Sequence, residues 1–102
     1  MVNGNDNDLA YRTILASYFQ SSARKWDDVA KVPYLSFTKP TGPLGCTYLS
    51  YVDEEAMAAH TDYVKQKGLG GAIVWTMNEG HLPTKPAAER DPLLAALWAG
   101  LQ

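Results

Sequence analysis

The stretch Tyr63 to Asn78, YVKQKGLGGAIVWTMN, sets a helix end, a glycine hinge and an apolar run closed by tryptophan side by side. Lys65, Gln66 and Lys67 put positive charge in a last helical turn, where it complements the negative end of the helix dipole. Gly68 can then take the left-handed conformation that stops the helix. Gly70 and Gly71 permit a close backbone approach. Ala72, Ile73, Val74 and Trp75 follow without period-two alternation, the pattern of a strand covered on both faces. Helix, glycine and buried strand in this order are one unit of a parallel α/β sheet, and the spacing predicts a strand over 72–75. Side chains at the carboxyl end of such a strand face the ligand crevice, so Trp75 is the candidate binding residue; an ordinary core ring is the alternative.

Upstream of this stretch, Asp53 is placed to cap the helix, with Glu54 and Glu55 adding negative charge to its first turn. Adjacent helical residues point apart, so these acids read as capping groups rather than as a general acid–base pair. Ala56, Met57, His60, Tyr63 and Val64 share the face expected to pack inward, and Asp62, Lys65 and Gln66 the solvated one. Downstream, Thr76 to Arg90 is rich in turn residues. Asp91 and Pro92 then open a final helix as N-cap and first helical residue, with Leu93, Leu94, Leu97, Trp98 and Leu101 as its apolar stripe.

Nearer the N-terminus, Tyr34 to Thr38 and Cys46 to Tyr51 read as strands joined by the loop KPTGPLG, an irregular hairpin. Pro33 biases Val32 toward extended geometry, and Trp26, Asp27 and Asp28 read as a short turn before it. Tyr11, Ile14, Leu15, Tyr18 and Phe19 recur at helical spacing behind Asp8 as N-cap. Met1 to Asn7, rich in Asn, Asp and Gly, reads as a flexible lead-in.

Composition narrows the function classes. The 102 residues carry a net charge of −2 and a pI near 5.5; without a basic cluster, a nucleic-acid partner has no electrostatic footing. No apolar run approaches the length of a membrane span, and the first residues lack the charged and apolar regions of a secretion signal. Cys46 is the single cysteine, so no internal disulfide is expected, and it has no evident base partner for a nucleophilic role. His60 and His81 stand at no ligand spacing; neither a metal nor a cofactor is expected.

Five segments together resemble the C-terminal part of glycoside hydrolase family 18 chitinases. They are WDDVAKVPYL (Trp26 to Leu35), TYLSY (Thr47 to Tyr51), VDEEA (Val52 to Ala56), YVKQKGLGG (Tyr63 to Gly71) and AIVW (Ala72 to Trp75). The first is similar to a stretch of the small α+β insertion that many of these enzymes carry. The others are similar, without a gap, to the last helix and strand of the barrel. The resemblance implies an incomplete barrel fragment of α/β class. On this reading residues 1–7 are a lead-in, 8–51 a helix plus β-hairpin from the α+β insertion, and 52–102 a helix-strand-helix from a TIM barrel.

What the resemblance implies for function is bounded by what the sequence lacks. A (β/α)₈ barrel takes about 250 residues, and the family's catalytic signature D-x-x-D-x-D-x-E does not occur here. Family 18 works by substrate assistance, so no isolated carboxylate replaces that signature. The expectation is therefore a chain with no catalytic residue, inactive alone, that contributes to hydrolysis of β-1,4-linked N-acetylglucosamine polymers when the rest of the barrel is present. The resemblance makes Trp75 the floor of the subsite next to the scissile bond, stacked on a pyranose, and makes chitin oligosaccharides the partner. Departures stand at Val52, Ala56 and His60, where the family has aspartate, serine and lysine, and at Asn78 and Glu79, where it commonly has aspartates. By the same resemblance the location would be extracellular. The alternatives are a carbohydrate-binding module using Trp75 with Tyr34 or Tyr48, and a structural piece that forms homo-oligomers through its open sheet edge.

Overall fold

The computed structural model describes residues 9–102; the expected lead-in and the expected cap at Asp8 lie outside them. Helix α1 spans Tyr11–Ser17. Three strands follow, β1 at Arg24–Asp27, β2 at Val32–Thr41 and β3 at Cys46–Ser50, and they pair antiparallel in the order β1-β2-β3. Helices α2, Glu54–Gln66, and α3, Pro92–Leu101, complete the regular elements.

The core lies between α1 and one face of the sheet. Tyr11, Ile14 and Tyr18, one side of α1 at the spacing read from the sequence, pack with Leu35, Cys46 and Leu49. Leu35 pairs with Leu49 across the ladder and is fully buried. Leu82 and Tyr51 close the cluster, so the connection after Trp75 folds back onto the same core. Gly42 has a positive φ of 75° and lies against the Tyr18 ring, which a Cβ at that position would overlap. The Tyr18 hydroxyl accepts from Leu44 N at 3.2 Å, tying helix to turn.

The hairpin is present and longer than expected. β2 runs on through Lys39 and Pro40, with a register shift against β3 between Ser36 and Thr41. Pro40 falls inside that irregularity, where its missing N–H costs no ladder bond. Of the turn read at Trp26 to Asp28, Trp26 and Asp27 are instead the end of β1, and the turn runs from Asp28 to Lys31. Asp27 Oδ1 accepts from Val29 N at 2.9 Å and Ala30 N at 3.0 Å, and Lys31 takes a φ of 59°, which together reverse the chain between β1 and β2. An Asx turn of this kind needs only the side chain two or three residues back.

Helix α2 follows the sequence reading at both ends. Asp53 Oδ1 accepts from Ala56 N at 3.0 Å, and Gly68 takes a φ of 62° just past the last turn. Its faces differ from expectation. Thr61 is buried beneath α3, where it meets Gly100 so closely that any Cβ there would overlap it, whereas His60 and Tyr63 are exposed. Helix α3 begins with Pro92 as read, but the Asp91 side chain makes no cap bond; it accepts from His81 Nδ1 at 2.8 Å instead. No residue of α3 is fully buried, and Trp98 is 70% exposed.

The expected strand over 72–75 is absent. Gly70 to Val74 has no ladder partner, and Ile73 is 96% exposed rather than covered on both faces. Nothing lies within 4 Å of a Cβ built at Gly70 or Gly71, so the close approach is not realised either. A parallel strand exists only by hydrogen bonding to neighbours, and the described strands are all engaged in the antiparallel sheet.

Candidate functional site

The segment that fails to pair forms one wall of a crevice of about 440 Å³. Tyr51 and Val52 lie at its base, Met57 and His60 of α2 and Leu93 and Leu97 of α3 line its flanks, and Ala72 to Met77 run along its rim. The walls are largely apolar because Tyr51, just past the end of β3, stands there and both helices turn leucine or methionine toward it. Trp75 stands on the rim with 88% of its surface exposed, so it is no part of the core described above. The peptide bond between Trp75 and Thr76 is cis.

The turn after Trp75 is held by local and distant bonds. Thr76 Oγ1 donates to Asn78 Oδ1 at 2.8 Å, and Arg12 of α1 donates to the Asn78 carbonyl at 2.7 Å. Asn78 thus serves the turn, whereas Glu79 lines the crevice. Asp91 also lines it but is engaged with His81. His60, departing from the expected lysine, lines the same crevice from an exposed position.

Beneath the crevice the acidic start of α2 is anchored by Arg24, which the sequence reading missed, and by Tyr11, read there only as a core residue. Arg24 of β1 donates to Asp53 Oδ2 at 2.8 Å and to Glu55 Oε2 at 2.8 Å, and its guanidinium lies 5.7 Å from the Trp26 ring centroid. The hydrogen bond to Asp53 is the main reason Arg24 holds its proton more tightly than a free arginine, with burial opposing. Tyr11 of α1 donates to both Glu54 oxygens at 3.1 Å. Burial first, then the Glu54 charge, pushes the Tyr11 phenol far above its ordinary range. Tyr51 stacks on Tyr11 with ring centroids 6.4 Å apart, and burial raises its phenol too, with Asp53 adding and Arg24 opposing. These partners lie 29 to 43 positions apart in sequence, which no local pattern reveals.

Chemically, the crevice offers an exposed indole and apolar walls, a surface suited to the apolar face of a ring-shaped ligand. Cys46, the other residue weighed for chemistry, is buried in the core. Tyr34 and Tyr48 lie elsewhere, on the opposite face of the sheet from the core, with ring centroids 5.6 Å apart.

The family model described as glycosyl hydrolases family 18 matches residues 2–80. The chain is 42% identical over 55 residues to a chitinase of Niallia circulans, covering 54% of this chain and 7% of that protein. It is 38% identical over 69 residues to a probable endochitinase of Caenorhabditis elegans, covering 68% of this chain and 10% of the relative. Among solved structures, a Bacillus thuringiensis chitinase superposes with a TM-score of 0.67 at 35% identity, over 90% of this chain and 14% of that one. An immunomodulatory chitinase from Trichuris suis superposes with a TM-score of 0.64 at 27% identity, over 92% of this chain and 25% of the other. The chain therefore spans a quarter or less of the length of each of these proteins.

Proposed function

Because the chain belongs to family 18 of the glycosyl hydrolases, we propose that it forms the C-terminal portion of a chitinase barrel and supplies the floor of its sugar site. In this reading Ala72 to Trp75 becomes the last barrel strand once neighbouring strands are present, and Trp75 stacks on the N-acetylglucosamine unit next to the scissile bond. The observation that carries it is the position of Trp75. A large aromatic ring, 88% exposed, stands at the mouth of an apolar crevice on a segment without a pairing partner. Together with Ile73 and Met77 it forms a run of exposed apolar side chains, the kind of surface that marks an interaction site.

The chain's own residues would then do three things. Trp75 presents a flat apolar face to the pyranose. Tyr51, Met57 and Leu97 keep water from the crevice behind it. The Asp53 cap and the Arg24 bridge fix α2, whose glycine-terminated end aims the segment carrying Trp75. Protonation of the leaving oxygen falls to the D-x-x-D-x-D-x-E strand, absent from this sequence.

The test is a chimera in which the upstream barrel of the Bacillus thuringiensis relative is joined to this chain and assayed on chitin oligosaccharides. Activity is expected, with Trp75→Ala lowering kcat/KM by roughly tenfold or more, about 1.4 kcal/mol of transition-state stabilisation. A folded but inactive chimera, or an active one indifferent to Trp75→Ala, refutes the assignment.

The same exposed surface favours a second reading, self-association of the chain. Ile73, Trp75, Met77, Tyr63 and Trp98 are all more than half exposed, and the unpaired backbone around Ile73 leaves groups free for strand exchange. Light scattering across a concentration series separates the two, since a monodisperse monomer at high concentration rules out the oligomer.

A further inference from the structure

The face of the sheet turned away from the core is unlike an ordinary solvated face. Because Leu35 and Leu49 point inward, their neighbours Tyr34 and Ser36 on β2 and Tyr48 and Ser50 on β3 point outward. The cross-strand register sets Tyr34 opposite Ser50 and Tyr48 opposite Ser36, so the two rings lie on a diagonal with a hydroxyl beside each. Their centroids are 5.6 Å apart and their planes 32° from parallel. Tyr48 keeps 53% of its surface in solvent although the strand it sits on has its core contacts on the other side. β1 adds Lys25, paired with Tyr34, and Asp27, whose charges offset.

We infer that this face is a second carbohydrate-binding surface, separate from the crevice, that takes a neutral β-linked aminosugar oligomer across the Tyr34 and Tyr48 rings. Neither the tyrosines nor Ser36 line the crevice, whereas Ser50 borders both, so the two rings and Ser36 distinguish this surface from it. A pyranose offers an apolar C–H face edged by hydroxyls and an amide; two ring faces flanked by serine hydroxyls complement both parts. The near-zero local charge fits an uncharged polymer and gives no hold on a polyanion. Two rings on an open sheet also lack the enclosing pocket in which protein hot spots sit. The choice of aminosugar rests on the family reading above, whereas the surface itself rests on the rings and hydroxyls.

The experiment is a titration of the ¹⁵N-labelled 102-residue chain with chitohexaose and, separately, cellohexaose, followed by amide shifts. Chitohexaose is expected to move Tyr34, Ser36 and Tyr48, and to do so equally in Trp75→Ala. Tyr48→Ser should weaken those shifts about fivefold, the scale of one aromatic contact, at an unchanged melting temperature. Tyr48→Phe, which keeps the ring, should stay within about twofold of the parent. Shifts confined to the crevice, shifts with cellohexaose alone, or no effect of Tyr48→Ser each overturn the inference. Failure of the crevice assignment would be read instead at Trp75 in the chimera, where Tyr34 and Tyr48 are unchanged.

Discussion

Replacing Asp53 with alanine removes two interactions at once, and the structure gives the size of each. Asp53 Oδ1 caps α2 through Ala56 N at 3.0 Å, and losing an N-cap of this type costs about 1 kcal/mol. Asp53 Oδ2 pairs with Arg24 at 2.8 Å, with side-chain exposures of 10% and 26%. Breaking a fully buried pair costs roughly 3–5 kcal/mol. Arg24 is a quarter exposed and keeps Glu55, so the second loss is discounted to about 1 kcal/mol. The sum, about 2 kcal/mol, lowers the melting temperature of a chain this size by roughly 10 °C. Urea denaturation followed by circular dichroism measures it, with Asp53→Asn as the companion variant. The asparagine retains the cap oxygen but not the charge and should cost about half as much. A double-mutant cycle with Arg24→Met should return a coupling of about 1 kcal/mol. Asp53→Ala within about 0.5 kcal/mol of the parent would refute the claim that this carboxylate joins the sheet to the helix.

Three further outcomes follow from the same structure. Tyr11 has its folded pKa raised by burial and by Glu54, so the neutral phenol is favoured by folding. The stability it contributes is complete below the unfolded value near 10 and is lost as pH rises above it; melting temperatures should fall above about pH 10, and less steeply in Tyr11→Phe. Gly100→Ala drives a Cβ into Thr61 at the α2–α3 contact and should cost about 1–3 kcal/mol in thermal unfolding. Trp75→Ala in the isolated chain removes a ring that is 88% exposed and should leave stability within about 0.5 kcal/mol, checked by the same melts.

Local chemistry carried the sequence reading where the fold is local. Asp53 and Gly68 mark α2 because a cap and a left-handed stop need only neighbouring residues, and both take those roles. Tyr11, Ile14 and Tyr18 mark the buried side of α1 for the same reason. Strand β1 escaped notice because Arg24–Asp27 is only four residues long and three of them are charged, so its alternation between half-buried and exposed positions is not written as apolar against polar. The anchoring of Glu54 by Tyr11 and of Glu55 by Arg24 was invisible because it depends on how α1 and β1 lie over α2. His60 was misplaced for a related reason. The inward face of α2 is set by the Thr61–Gly100 contact with α3, and a glycine announces no apolar stripe.

The run Ala72 to Trp75 is where pattern and structure diverge, and the divergence bears on function. Four consecutive apolar residues ask for burial on both sides, yet Ile73 is 96% and Trp75 88% exposed. Exposed apolar surface of this kind is unfavourable by about 25 cal/mol for each Å² that could be covered. The described residues offer no cover, because β1, β2 and β3 form an antiparallel sheet that the run does not join. The helix before it, capped at Asp53 and stopped at Gly68, is nevertheless formed and bridged to the sheet through Arg24. A unit whose helix is already fixed has met the part of the ordering cost of strand addition that belongs to that helix. The physical expectation is that whatever pairs with this run, barrel strands or a second copy, gains apolar burial and backbone hydrogen bonds together, and brings the indole of Trp75 against a wall it now lacks.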